Sequence, residues 1–207
     1  MDKQQAMDVV IGLEWEMFQK VNNIGGRASC QDEYDTFEIM RKSQFLSWDD
    51  ETVESYLQDL QDAQAEGRNL VAEKYLRMMK STDPANYAKS KHLLPVLSDE
   101  RIQKQEEVIA REIRWAEEYV QKYPLISQTN RVIYTHEDTL ENTSVETYLR
   151  GELGTYSDRT FMLYKSMTER LEKEGKNLVL RNMDYTAKLY GYEGIDDIEN
   201  RMRRKQA

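Results

Sequence analysis

"SWDDETVESYLQDLQDAQAEGRNLV", residues 47–71, reads as one helix closing into the start of another. Asp49 or Asp50 stands where a helix needs a side-chain acceptor for its first free amides. Val53, Tyr56, Leu57, Leu60 and Ala63 recur at the spacing of a single helical face. Gly67 ends the run and Asn69 opens the next, which carries Leu70, Val71, Tyr75, Leu76 and Met79. The product is an αα-hairpin.

Working upstream, residues 5–22 place Val9, Val10, Leu13, Met17 and Val21 on one stripe, widened by Trp15 and Phe18. Asn22, Asn23, Gly25 and Gly26 then supply the chemistry of a helix stop. A second helix is expected from Glu33 to Phe45, with Phe37, Met40 and Phe45 among its apolar positions. Downstream, "STDPANYAKSKHLLPVLSDE" holds two prolines and no clear period, so it reads as a connector. Ser98 or Asp99 caps a long helix to about Tyr123, with Ile102, Ile109, Ile113, Ala116 and Val120 inward. Pro124 ends it.

Residues 144–179, "SVETYLRGELGTYSDRTFMLYKSMTERLEKEGKNLV", align without a gap on residues 36–71, at a spacing of 108. Glu38 meets Glu146, Asp50 meets Asp158, Thr52 meets Thr160, and Tyr56 meets Tyr164. The run Glu66 to Val71 meets the run Glu174 to Val179. Further upstream, Trp15 pairs with Trp115 once a loop difference of roughly eight residues is allowed. Two hairpins built by common rules would share a cap and a glycine, but not six similar residues in a row. The expected fold is all-α: one helical bundle of two related helical halves with an approximate two-fold axis. Repeat 1 covers about 5–80, a connector about 81–98, repeat 2 about 99–192, and a basic tail 193–207. Gly67, Gly175, Asn69, Asn177, Tyr56 and Tyr164 are read as framework. A cleft at such an axis is a natural ligand site.

Composition sets outer limits. Apolar residues make up 39% of the 207, charged residues 32%, and the net charge is −9. That balance repels phosphate backbones, so nucleic acid is not an expected partner. The cations of the tail (Arg201, Arg203, Arg204, Lys205) suit the end of a helix. No apolar run approaches the roughly 18–20 residues of a membrane span. The N-terminus lacks the pattern of a signal peptide, so a cytoplasmic location is expected.

The stretch "VNNIGGRASCQDEYDTFEIMRKSQ", residues 21–44, collects more directional polar groups than a turn needs. The second half has an unrelated and longer loop at this place. Planar guanidinium and amide groups are costly to order unless they recognise something of matching geometry. Arg27 and Arg41 suit a carboxylate or phosphate, Gln31 and Gln44 could orient it, and Cys30 or Asp32 is the reactive group if a reaction follows. Cys30, the single cysteine, reads first as an inert small core residue and alternatively as a thiol activated by Arg27. If the halves pack face to face, His136 comes near Cys30. A carboxylate-bridged metal through Glu14, Glu38 and Glu146 is a further alternative, although neither His92 nor His136 follows a glutamate at helical spacing. No Gly-Lys-Ser/Thr follows the glycines, which leaves a nucleotide cradle unsupported.

The segment "EWEMFQKVNNIGGRASCQDEYDTFEIMRKSQFLSW", with the later "EGRNLVAEKYLRMM", resembles the bacterial family catalogued as domain of unknown function 4125. The resemblance spans nearly the whole chain. Glu14, Trp15, Gly25, Gly26, Arg27, Cys30, Gln31, Arg41, Ser43, Gln44 and Trp48 carry it best. It assigns no activity and names no cofactor. It implies an accessory or substrate-binding role beside a nucleotidyltransferase-like partner. Three readings therefore stand open: a binder of a small anionic metabolite, with or without chemistry; an interaction module for a protein partner or a second copy of the chain; and the carboxylate-bridged metal protein.

Overall fold

The computed structural model describes residues 1–22 and 26–206. Ten α-helices and four short 3-10 turns make up its regular structure, with no strand among the described residues. The helices are α1 Lys3–Gln19, α2 Tyr34–Leu46, α3 Asp50–Ala65, α4 Leu70–Thr82 and α5 Pro84–Ser90. They continue with α6 Asp99–Lys122, α7 Val145–Leu153, α8 Asp158–Lys173, α9 Leu178–Leu189 and α10 Ile195–Gln206. None of the described helices is long and apolar enough to cross a membrane.

One apolar core joins both halves. Val10, Ile11, Phe45, Leu60, Val108, Ile109, Phe161 and Leu171 are all buried in it. α1 packs on α2, α3 and α4, while α6 packs on α7, α8 and α9; α3 meets α8. Two further pairs cross over: α4 lies against α7, and α2 against α9. α7 comes so close to α4 that a Cβ on Gly151 would stand 2.9 Å from the backbone oxygen of Lys74.

Caps fix the hairpins. Asn69 accepts from the Ala72 amide at 2.9 Å and donates to the Met17 carbonyl at 2.8 Å. Asn177 accepts from the Leu180 amide and donates to the Trp115 carbonyl, both at 3.0 Å. Each asparagine thus starts one helix while tying off an orphan carbonyl of another. Gly67 and Gly175 take φ of 71° and 65°, a conformation that costs a glycine little. Asp49 occupies the cap position of α3 but makes no cap bond. Its carboxylate instead receives Arg170 at 2.6 Å, tying α3 to α8.

The structure departs from the sequence reading in several places. On α1 the inward face is Ala6, Met7, Val10, Ile11 and Glu14, and Val9 is exposed. The helix is turned so that the Glu14 carboxylate enters the interior and Val9 does not. Ile102 and Val120, expected inward, are exposed, and so is Met40 among the apolar positions of α2. The connector contains α5, a surface helix with no buried residue. It is set by Asp83, which accepts from the Asn86 amide, and by Pro84 in the first turn, so an apolar period never marks it. The stop signals expected at Asn23 and Gly25 lie outside the described residues.

Candidate functional site

Four ionisable side chains meet where α1, α2, α4 and α7 converge. Glu14, Arg41, Lys74 and Glu152 are 2%, 6%, 7% and 5% exposed, so each needs a partner to stay charged. Arg41 clasps Glu14 with two hydrogen bonds of 2.6 Å, from Nε to Oε2 and from Nη2 to Oε1. Its Nη1 donates to Glu152 Oε1 at 3.0 Å and to Gln44 Oε1 at 2.6 Å. Gln44 passes the contact on, its Nε2 donating to Glu152 Oε1 at 2.9 Å. Tyr56 donates to Glu14 at 2.8 Å and Tyr156 to Glu152 at 3.2 Å. Lys74 Nζ stands 3.7 Å from Glu152 Oε2 and donates to the Tyr148 hydroxyl at 2.8 Å.

Two cations and two carboxylates leave this chain of contacts neutral. A buried ion pair survives only where geometry and extra hydrogen bonds offset desolvation, and both carboxylates have such bonds. Burial alone would raise the Glu152 carboxyl, but Arg41, Lys74 and the Gln44 amide pull it down to about 2. Burial opposes the charge on Lys74 as well, yet Tyr148 and Glu152 hold its ammonium above the usual range.

A cavity of about 390 Å³ opens on this network, in the size range of small-molecule sites. Glu14, Arg41, Gln44 and Lys74 form its polar wall, and Phe18, Phe37, Val71 and Tyr75 its apolar one. Phe18 and Phe37 stack with centroids 5.6 Å apart. Burial pushes the Tyr75 hydroxyl up to about 12, so it stays a neutral donor. At the rim, Tyr148 carries two cations on its ring: Lys74 Nζ at 4.4 Å from the centroid and the Arg131 guanidinium at 5.1 Å. Cys30, exposed, completes the rim with Glu33 and Thr36.

Residues 4–200 match the family described as "Protein of unknown function (DUF4125)". The chain belongs to the DUF4125 family. Among curated proteins and among solved structures, no match was found.

In this DUF4125 member the polar segment singled out by sequence divides in two. Cys30, Arg41 and Gln44 line the cavity; Arg27, Gln31 and Asp32 do not. Arg27 closes its own loop, donating to Asp32 Oδ1 at 2.8 Å, Gln19 Oε1 at 2.5 Å and the Gln31 carbonyl at 2.8 Å. Gln31 is buried and ties off the end of α1, its Nε2 donating to the carbonyls of Phe18 and Val21 at 2.8 and 3.1 Å. His136 stacks on Tyr134 and is not part of the cavity wall. The three carboxylates of the metal alternative have separate partners or positions. Glu14 serves Arg41, Glu146 accepts from the Thr135 amide at 2.7 Å and pairs with Arg150 at 2.9 Å, and Glu38 lies half-buried on α2. Among the described residues no group of three or more His, Cys, Asp or Glu could hold a metal ion.

Lys74, Arg131, Tyr148 and Glu152 escaped the sequence reading. For two of them a signal existed. Lys74 lies among the inward residues Leu70, Val71 and Met78 of α4, and Glu152 beside Leu153 on α7. An ionisable residue within a buried stripe requires a buried counter-charge.

Proposed function

We propose that the protein binds a small organic acid with a flat or apolar body in the cavity between α1, α2, α4 and α7. The observation that carries this reading is the state of Lys74. Its ammonium borders the cavity, and its nearest carboxylate, at 3.7 Å, is already engaged by Arg41, Gln44 and Tyr156. An ammonium has three donors, and the Tyr148 hydroxyl takes one. Arg131 presents a second cation across the same ring. The acid group therefore docks against Lys74 and Arg131, while Phe18, Phe37 and Tyr75 cover the body. Arg41 and Gln44 act from behind, fixing Glu152 so that Lys74 keeps its place.

We also infer that the halves are copies of one unit, and matching contacts support it. Tyr56 donates to Glu14 at 2.8 Å as Tyr164 donates to Glu112 at 2.7 Å. Asn69 and Asn177 reach the carbonyls of Met17 and Trp115. Lys3 donates to the Trp48 carbonyl and pairs with Asp50, while Arg101 donates to the Tyr156 carbonyl and pairs with Asp158. These contacts set Met17, rather than Trp15, opposite Trp115. On this pairing the counterparts of Arg41 and Lys74 are Leu149 and Asn182. The Asn182 Oδ1 is buried without a hydrogen-bond partner. One half kept the charged pair, and the other gave it up, as expected if a ligand needs only one.

Thermal-shift and calorimetric titration with aromatic and aliphatic carboxylic acids test the proposal. A saturable rise in Tm is expected for at least one acid, weakened about tenfold or more in Lys74→Met and Arg131→Ala and unaltered in Arg27→Ala. An acid that binds Lys74→Met as tightly as the native chain, or the absence of any saturable ligand, refutes it.

A further inference from the structure

Farther along α4 a second basin opens, bounded by the segment from Tyr87 to Leu97 and by α6 and α7. It has two lobes of about 380 Å³ each, which share Arg77, Lys80 and Arg150. Lys91 adds a further cation to the first lobe. Arg150 is more than neutralised by two carboxylates that also line the basin, Glu106 at 2.7 Å and Glu146 at 2.9 Å. Arg77, Lys80 and Lys91 are not: among the described residues none of the three enters a salt bridge. A chain with a net charge of −9 has carboxylates to spare, yet it leaves this basin with three unpaired cations.

The wall is also incompletely satisfied. Gln105, 4% exposed, donates through Nε2 to the Arg150 carbonyl at 2.9 Å, while its Oε1 is buried without a partner. Arg77 donates from Nη2 to the Pro95 carbonyl at 2.9 Å, and its Nε is likewise buried and unpartnered. A fold that meets only its own needs leaves few such atoms, and both of these belong to residues lining one basin. Burial, with Arg101 and Arg68 nearby, pulls the Arg77 guanidinium below its usual range against Glu73 and Tyr87. An incoming anion would relieve it.

We propose that this basin is a second ligand site, independent of the first cavity, for a phosphomonoester of a small hydroxylated molecule. The phosphoryl dianion meets Lys80, Lys91 and the outer nitrogens of Arg77. A ligand hydroxyl supplies the donor that Gln105 Oε1 lacks, after a side-chain turn of the kind binding commonly brings. Leu94 and Ile102 cover the carbon skeleton. A single carboxylate would leave too many of the cations uncompensated, which favours a dianion.

Isothermal titration at fixed ionic strength tests this with glycerol 3-phosphate, inorganic phosphate and succinate. Saturable one-to-one binding of glycerol 3-phosphate is expected, tighter than that of inorganic phosphate. The double variant Lys80→Gln/Lys91→Gln changes two exposed side chains that make no contact needed by the fold, and should weaken binding at least about tenfold. Lys74→Met should leave it unchanged. Absence of saturable binding, or the same affinity in the double variant, overturns the proposal. Loss of phosphate binding in Lys74→Met would place the ligand in the first cavity and overturn it too. Succinate binding as tightly as glycerol 3-phosphate would overturn the phosphomonoester assignment.

Discussion

Replacing Glu112 by glutamine should stabilise the protein, and by an amount that depends on pH. Glu112 is 4% exposed on α6, and the hydrogen bond it receives is from the Tyr164 hydroxyl at 2.7 Å. Glu14 has Arg41 as its counter-ion, whereas Glu112 has no salt bridge among the described residues. Burial therefore raises its carboxyl from the usual 4.5 to about 7, helped by Glu152 and opposed by Tyr164 and Arg111. A carboxyl raised on folding holds its proton in the native state and loses it in the unfolded one. Its contribution is intact below about pH 4.5, falls away between about 4.5 and 7, and is flat above. At about 1.4 kcal/mol per unit, the loss at pH 8 is roughly 3 kcal/mol. Glutamine keeps the shape and the acceptor for Tyr164, and it never ionises. In urea, with m of about 2 kcal/mol/M, Glu112→Gln should move the midpoint up by roughly 1.5 M at pH 8. At pH 4.5 the midpoint should hardly move. Equal gains at both pH values, or no gain at pH 8, would refute a buried uncompensated carboxylate.

Three further substitutions probe other links. Arg41→Leu should cost about 3–5 kcal/mol in denaturant melts, because it leaves Glu14 and Glu152 buried with their main cation gone. Gly151→Ala should cost about 1–3 kcal/mol, since its Cβ would stand 2.8 Å from Met78 Cγ and 2.9 Å from a backbone oxygen that cannot step aside. Arg27→Ala should cost less than about 1 kcal/mol, because its partner Asp32 is exposed and the pair sits in water; a loss above about 2 kcal/mol would give that loop a larger share in the fold than its contacts allow.

The framework was legible where capping and period agreed. α3 was read correctly because Val53, Tyr56, Leu57, Leu60 and Ala63 all turn inward, and Gly67 does take the left-handed conformation. α5 was missed because it buries nothing and is defined by one aspartate and one proline. The site was half legible. Local composition drew attention to residues 21–44, yet composition does not tell which polar groups satisfy one another. Gln31 and Arg27 spend their donors on their own loop and on the end of α1. The carboxylates that meet Arg41 come from α1 and α7, and Lys74 and Glu152 come together only when α4 lies on α7. Such pairings depend on packing, which a single sequence does not display.

The crossing of α2 onto α9 and of α4 onto α7 has a consequence during synthesis. When the first half leaves the ribosome, α1 can cover one side of α2 and of α4, but the sides that meet α9 and α7 stay bare until those distant helices are made. These apolar sides must wait in water, where they are open to chaperones or to another nascent chain. Closure of such remote contacts is slow, so the stretch from α7 to α9 sets the pace at which these faces become safe from aggregation.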